Sequence, residues 1–68
     1  MADLPDGRYS FEHESNKAVV ELYTVNGQAF YDYSVNGKLL VKQGSAEQGE
    51  DKARLLDRLK HIFRKQTG

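Results

Sequence analysis

Between Gly7 and Gly44 apolar and polar residues alternate with a period of two, and beyond residue 50 the spacing changes to that of a helix. A period of two sends successive side chains to opposite faces of a strand, whereas a spacing of three and four gathers them on one stripe of a helix. Two Val-Asn-Gly triplets interrupt the alternating stretch, at Asn26-Gly27 and Asn36-Gly37. Both central positions of a type I′ turn need positive φ, which Asn tolerates and Gly adopts freely, so each triplet predicts a two-residue hairpin. A third turn is expected at Ser15-Asn16. The pattern therefore predicts strands at about 7–14, 17–25, 28–35 and 38–43 and a helix at about 49–65. The fold class is α+β: a four-stranded antiparallel meander of order 1-2-3-4 packed on one C-terminal amphipathic helix, within a single domain over 7–66. Residues 1–6 are expected to form a flexible N-terminal segment.

The turns imply a register. Around Asn26-Gly27, Leu22 faces Tyr31 and Val20 faces Tyr33; around Asn36-Gly37, Tyr33 faces Leu40. A turn at Ser15-Asn16 sets Phe11 against Val20, Tyr9 against Leu22 and His13 against Ala18. The three hairpins then agree on one apolar face, with rows Phe11–Val20–Tyr33–Leu40, Tyr9–Leu22–Tyr31 and His13–Ala18–Val35. A slip of one residue would scramble that agreement. In the helix, Leu55, Leu56, Leu59, Ile62 and Phe63 cover about 120° of the surface, a stripe suited to packing on the sheet. Ser45 and Gln48 are spaced as a capping box, which would put Gly49 in the first turn; the alternative is a helix that begins nearer Gly49. Glu47, Glu50 and Asp51 suit the positive end of the helix dipole, and Arg64 and Lys65 its negative end.

Composition narrows the chemistry. The 68 residues include no cysteine, which removes disulfides, thiolate catalysis and cysteine-based metal sites. A core of this size usually leaves only about 3–5 kcal/mol of net stability, so self-association is a natural supplement. His13 and His61 fall on different elements, and no metal or other cofactor is expected. Ser10, Ser15, Ser34 and Ser45 have no histidine and carboxylate placed by a recognisable motif, so no enzymatic activity and no small-molecule substrate are expected. Glu21 and Asp32 should lie opposite each other on the outer sheet face, where two carboxylates could share a proton or a cation, or simply be solvated. His13 is expected at the rim of the core, packed on Ala18 and Val35, with a pH switch as the sharper alternative. The polar N-terminus and the lack of a long apolar run point to a cytoplasmic protein without a membrane partner.

Net charge is zero, but residues 1–51 carry nine acids against four Lys/Arg, and residues 52–68 carry six Lys/Arg against one acid. Two surfaces follow. The outer sheet face should hold Val19, Tyr23, Phe30, Leu39 and Val41 beside Arg8, Ser10, Glu12, Glu21, Asp32 and Ser34, a patch that could receive another protein or a second copy. Its aromatics could also stack bases, but Glu12, Glu21 and Asp32 would repel phosphates there. The helix should present a basic face of Arg54, Arg58, Lys60, Arg64 and Lys65, with His61 alongside, suited to phosphates or to an acidic protein groove.

Four strands followed by a helix resembles the topology of the small single-strand-binding coactivator and Whirly-type domains, which dimerise and hold nucleic acid on their sheets. More distantly it resembles the three-strand-plus-helix arm-binding domains of phage integrases. The resemblance is one of topology and implies nucleic acid as a partner, although the acidic outer face departs from what phosphate binding needs. The reading favoured by the residues is a small non-catalytic interaction or regulatory module that binds a protein partner or itself through the outer sheet face. The alternative is nucleic-acid binding through the basic helix face.

Overall fold

Positive φ at paired turn residues sets the architecture. In the computed structural model, which describes residues 4–67, the strands are β1 (Gly7–His13), β2 (Asn16–Val25), β3 (Gln28–Val35) and β4 (Lys38–Ser45). They form one antiparallel sheet in the order β1-β2-β3-β4, followed by helix α1 (Lys52–Thr67). Asn26 and Gly27 have φ of 52° and 78°, and Asn36 and Gly37 have 53° and 82°, as type I′ turns require. The β2–β3 register is the expected one, with Val20 opposite Tyr33 and Leu22 opposite Tyr31.

The β1–β2 register differs from expectation by two residues. Phe11 faces Ala18, Tyr9 faces Val20, Gly7 faces Leu22 and His13 faces Asn16. The turn lies at Glu14-Ser15, whose φ values are 53° and 65°, and not at Ser15-Asn16. Asn16 explains the choice. Its Nδ2 donates to the Glu14 carbonyl at 3.0 Å, and its Oδ1 accepts from Asn36 Nδ2 at 2.9 Å. Asn36 Oδ1 in turn accepts from the Lys17 N–H at 3.0 Å, so the two turns at this end of the sheet hold each other. A shift of two residues preserves face parity, so Tyr9 and Phe11 still point inward.

The β3–β4 pairing starts as expected, with Val35 opposite Lys38 and Ser34 opposite Leu39, and then slips twice. Tyr33 faces Val41 and Tyr31 faces Gly44. Leu40 is thereby bulged out of the core row and 46% exposed, while Val41 packs against the core. Gln43, with φ of 56°, completes the irregularity, and its N–H donates to Asp32 Oδ1 at 2.8 Å.

The core joins Ala18, Val20, Leu22, Tyr31 and Tyr33 of the sheet to Leu55, Leu56, Leu59 and Phe63 of α1. Ile62 is only half-buried, at the margin of this stripe. Phe11 meets Phe63 edge to face, with ring centroids 5.3 Å apart. The helix lies over β1 and β2 and runs alongside β1. Lys52 at its start binds Asp6 at 2.8 Å, just before β1. At its other end, Thr67 Oγ1 donates to the Phe63 carbonyl at 2.8 Å, which leaves it to accept from His13 Nδ1 at 3.2 Å. His13 therefore ties the end of β1 to the end of α1 and is not stacked across from Ala18.

The helix begins later than expected. Asp51 Oδ1 accepts from the Arg54 N–H at 2.8 Å and is the N-cap. Gly49, with φ of 78°, stands outside the helix, and Ser45 ends β4 without capping anything. Residues 4–6 are attached to the domain: Leu4 packs against the core, the Pro5 carbonyl accepts from the Tyr9 hydroxyl at 2.6 Å, and Asp6 accepts from Thr24 at 3.0 Å. The rest of the expected flexible segment, residues 1–3, lies outside the described residues. No helix among the described residues is long and apolar enough to cross a membrane.

Candidate interaction surfaces

With α1 on one side only, the opposite face of the sheet is uncovered among the described residues. Alternation delivers Val19, Glu21 and Tyr23 of β2 and Phe30, Asp32 and Ser34 of β3 to this face. Cross-strand pairing orders them into rows. Tyr23 and Phe30 are directly opposite and stacked, with centroids 6.1 Å apart and planes 25° from parallel. Ser10, Val19, Ser34 and Leu39 form a second, mixed row in which two apolar side chains alternate with two serines, with Leu39 50% exposed. Between these rows lie Arg8, Glu21 and Asp32. The face is therefore an aromatic row and a mixed apolar–serine row separated by a charged one, not one contiguous apolar patch. Val41 does not belong to it, because the β4 bulge turns that residue to the core side.

Glu21 and Asp32 are cross-strand neighbours, as the register implied, and each is engaged. Glu21 pairs with Arg8 at 3.5 Å. Asp32 Oδ1 accepts from the Gln43 N–H and, at 3.2 Å, from the Tyr23 hydroxyl. The carboxylate thus takes the place of a ladder carbonyl where β4 has bulged away. Desolvation and the Asp32 carboxylate push the Tyr23 phenol above its ordinary pKa. Among the described residues, no group of three or more His, Cys, Asp or Glu side chains is placed to hold a metal.

On the helix, Arg54, Lys60, Arg64 and Lys65 are exposed and make no ion pair among the described residues. Lys60 and Arg64 line a shallow cleft with Phe11, Glu12 and Phe63, on the side of α1 that overhangs β1. Asp57 and His61 adjoin them. Arg58 is different: its Nε and Nη2 donate to the two oxygens of Glu50 at 2.8 and 2.9 Å. This fork is taken, so Arg58 is withdrawn from the basic face. Sequence spacing could not have revealed the pair, since residues eight apart meet only because the segment before Asp51 folds back.

The Glu50–Arg58 pair carries a pH signature. Donation from Arg58 holds the Glu50 carboxyl below its ordinary value of 4.5, against the opposing effect of burial. A carboxylate with a depressed folded pKa stabilises fully above its unfolded pKa, and that stability is lost as pH falls through the folded one. Glu50→Gln is expected to cost about 1–2 kcal/mol at neutral pH. The gap between its melting temperature and that of the parent should close as pH falls below 4.5. Thermal melts across pH 7 to about 2.5 check this.

One further geometric feature escaped the sequence reading. β1 is an edge strand, and its two-residue turn makes His13 and Asn16 the closing hydrogen-bonded pair. Alternation then turns the backbone groups of Gly7, Tyr9, Phe11 and His13 toward β2, and those of Arg8, Ser10 and Glu12 outward. All three of the latter residues are exposed. The signal was available: the first strand of a meander has a neighbour on one side only. Comparison of the chain with protein-family models, with curated proteins and with solved structures finds no match.

Proposed function

We propose that this protein is a small non-catalytic interaction module that engages a protein partner through the outer face of its sheet. The observation that carries the reading is the stacked Tyr23–Phe30 pair, half-buried on an otherwise bare face and fixed by the Tyr23–Asp32 hydrogen bond. Rigid aromatics with few rotors lose little entropy when a partner covers them, and such residues dominate interface energetics. The acids Glu21 and Asp32 beside the aromatic pair suit a partner that presents a basic side chain next to an apolar one. It disfavours a phosphate backbone on this face. The rival reading, nucleic acid on the helix, rests on Arg54, Lys60, Arg64 and Lys65, without the guanidinium of Arg58.

The test is affinity capture with the whole chain against Tyr23→Ala and Phe30→Ala, scoring both protein and nucleic acid. Each substitution is expected to weaken the captured protein by at least about tenfold, as loss of an interface aromatic does. Capture unchanged in both variants, or capture of nucleic acid alone with salt-sensitive affinity, counts against the outer face.

A further inference from the structure

We propose that β1 is a self-association edge, and that two copies pair antiparallel about a twofold axis at Ser10 to make one continuous sheet. The inference concerns a different surface from the outer face and does not depend on it.

The sheet has two edges, β1 and β4. β4 is interrupted by register shifts and by Gln43 at positive φ, devices that spoil an edge for pairing. β1 pairs with β2 without interruption through all seven of its residues, so its outer side is regular. Among the described residues, the N–H and C=O groups of β1 left without a strand neighbour belong to Arg8, Ser10 and Glu12. A twofold at Ser10 sets Ser10 opposite Ser10 and Arg8 opposite Glu12, so the outward-pointing groups meet and about six ladder hydrogen bonds form.

The side chains then identify the occupant. Edge strands commonly carry like charges that repel a copy of themselves. Here the charges at symmetric positions are opposite, Arg8 and Glu12, and the twofold brings each beside its complement twice. Within one chain Glu12 lies opposite Lys17 and Arg8 opposite Glu21. The joined outer row therefore reads Lys17, Glu12, then Arg8 and Glu21 of the second copy, with alternating sign. On the inner face the same register sets Tyr9 against Phe11 in the close non-hydrogen-bonded pairs, where aromatic partners are favourable. The overhanging helices run antiparallel across the axis, because α1 follows β1. Arg64, near the Glu12 end of β1, then comes level with Asp57 of the neighbouring helix, while Lys60, level with Ser10, lies beside the axis. A second copy is thus complementary to β1 in backbone hydrogen bonds and in the Arg8–Glu12 charges, in a single register.

Sedimentation equilibrium of the full chain over about a hundredfold range of concentration should show a reversible monomer–dimer equilibrium. Ser10→Pro removes an N–H that points away from β2, so the monomer keeps its ladder and the dimer loses its central bonds. Its dissociation constant should rise by at least about tenfold, with the melt of the monomer confirming the fold. Arg8→Glu and Glu12→Arg should each dissociate as homodimers, since each places like charges opposite each other twice. Mixed in equal amounts they should form a heterodimer, because both cross-axis pairs are then opposite in sign, and Ser10→Pro in either member should abolish it. A strict monomer at every concentration overturns the proposal. So does a dimer indifferent to Ser10→Pro and to both charge changes, or a mixture that stays monomeric. Tyr23→Ala and Phe30→Ala should leave this dimer intact. A dimer lost through those two and kept by Ser10→Pro would overturn the edge while leaving the outer face as the contact.

Discussion

Phe63→Ala is expected to abolish cooperative folding at ordinary temperatures. Phe63 is 1% exposed, belongs to the largest fully buried side chains, and meets the edge of Phe11 at 5.3 Å. It is also the place where the last turns of α1 are joined to β1, since its carbonyl accepts from Thr67, which receives His13. Truncating a buried phenylalanine costs about 3–5 kcal/mol, from lost transfer energy and the cavity left behind. That equals the whole margin of about 3–5 kcal/mol usual for a core of this size. Far-ultraviolet circular dichroism should show a shallow, non-cooperative melt and loss of helix signal. Phe63→Leu fills much of the volume and should melt cooperatively at a lower temperature. An alanine variant that melts within a few degrees of the parent would mean that α1 does not close the core through this residue.

The second large effect is expected at Gly44. A β-carbon added there would stand 2.6 Å from Tyr31 Cζ, 2.8 Å from Tyr31 Cε1 and 2.8 Å from Val41 Cγ1. Carbon atoms pack best at about 3.5–4.0 Å, so something must move. Tyr31 is 8% exposed and belongs to the core, and Val41 is packed beside it. Gly44→Ala should therefore cost about 2 kcal/mol by overpacking. The strain falls on β4, and amide shifts should be largest around Gln43 and Asp32, whose hydrogen bond lies next to the displaced residue. A smaller residue in place of Tyr31 should recover part of the loss in the double variant, giving a coupling energy in a double-mutant cycle. A strictly additive pair would show that the ring is not what excludes the β-carbon.

These effects also show what the sequence made legible. The Asn-Gly turns and strict alternation were enough for the β2–β3 register, the inward parity of every strand but β4, and the helix stripe. Those features depend on local backbone preference and burial, which short windows encode. The misplaced β1–β2 turn has a tertiary cause. Glu14 and Ser15 are poor residues for positive φ, and they adopt it because Asn16 and Asn36 bind each other across two adjacent turns. The β4 bulges have one too, since Asp32 supplies an acceptor to Gln43 and Tyr31 needs the space above Gly44. Gly44 within an alternating run was the available sign of a bulge or a close approach. Of the candidate surfaces, Val19, Tyr23, Phe30 and Leu39 reach the outer face as alternation requires. Val41 and Arg58 do not reach theirs, because a bulge and a folded-back acid redirect them. The open β1 edge is implied by the meander topology, whose first strand has a neighbour on one side only.

The irregular last strand has a consequence for assembly size. A sheet with two straight borders can accept copies on both sides, and growth then continues into a filament. In this protein the Leu40 and Gln43 irregularities roughen one border, and the other is consumed when a pair forms. Association by strand addition through β1 would therefore terminate at two chains, leaving the roughened margins outermost on both flanks.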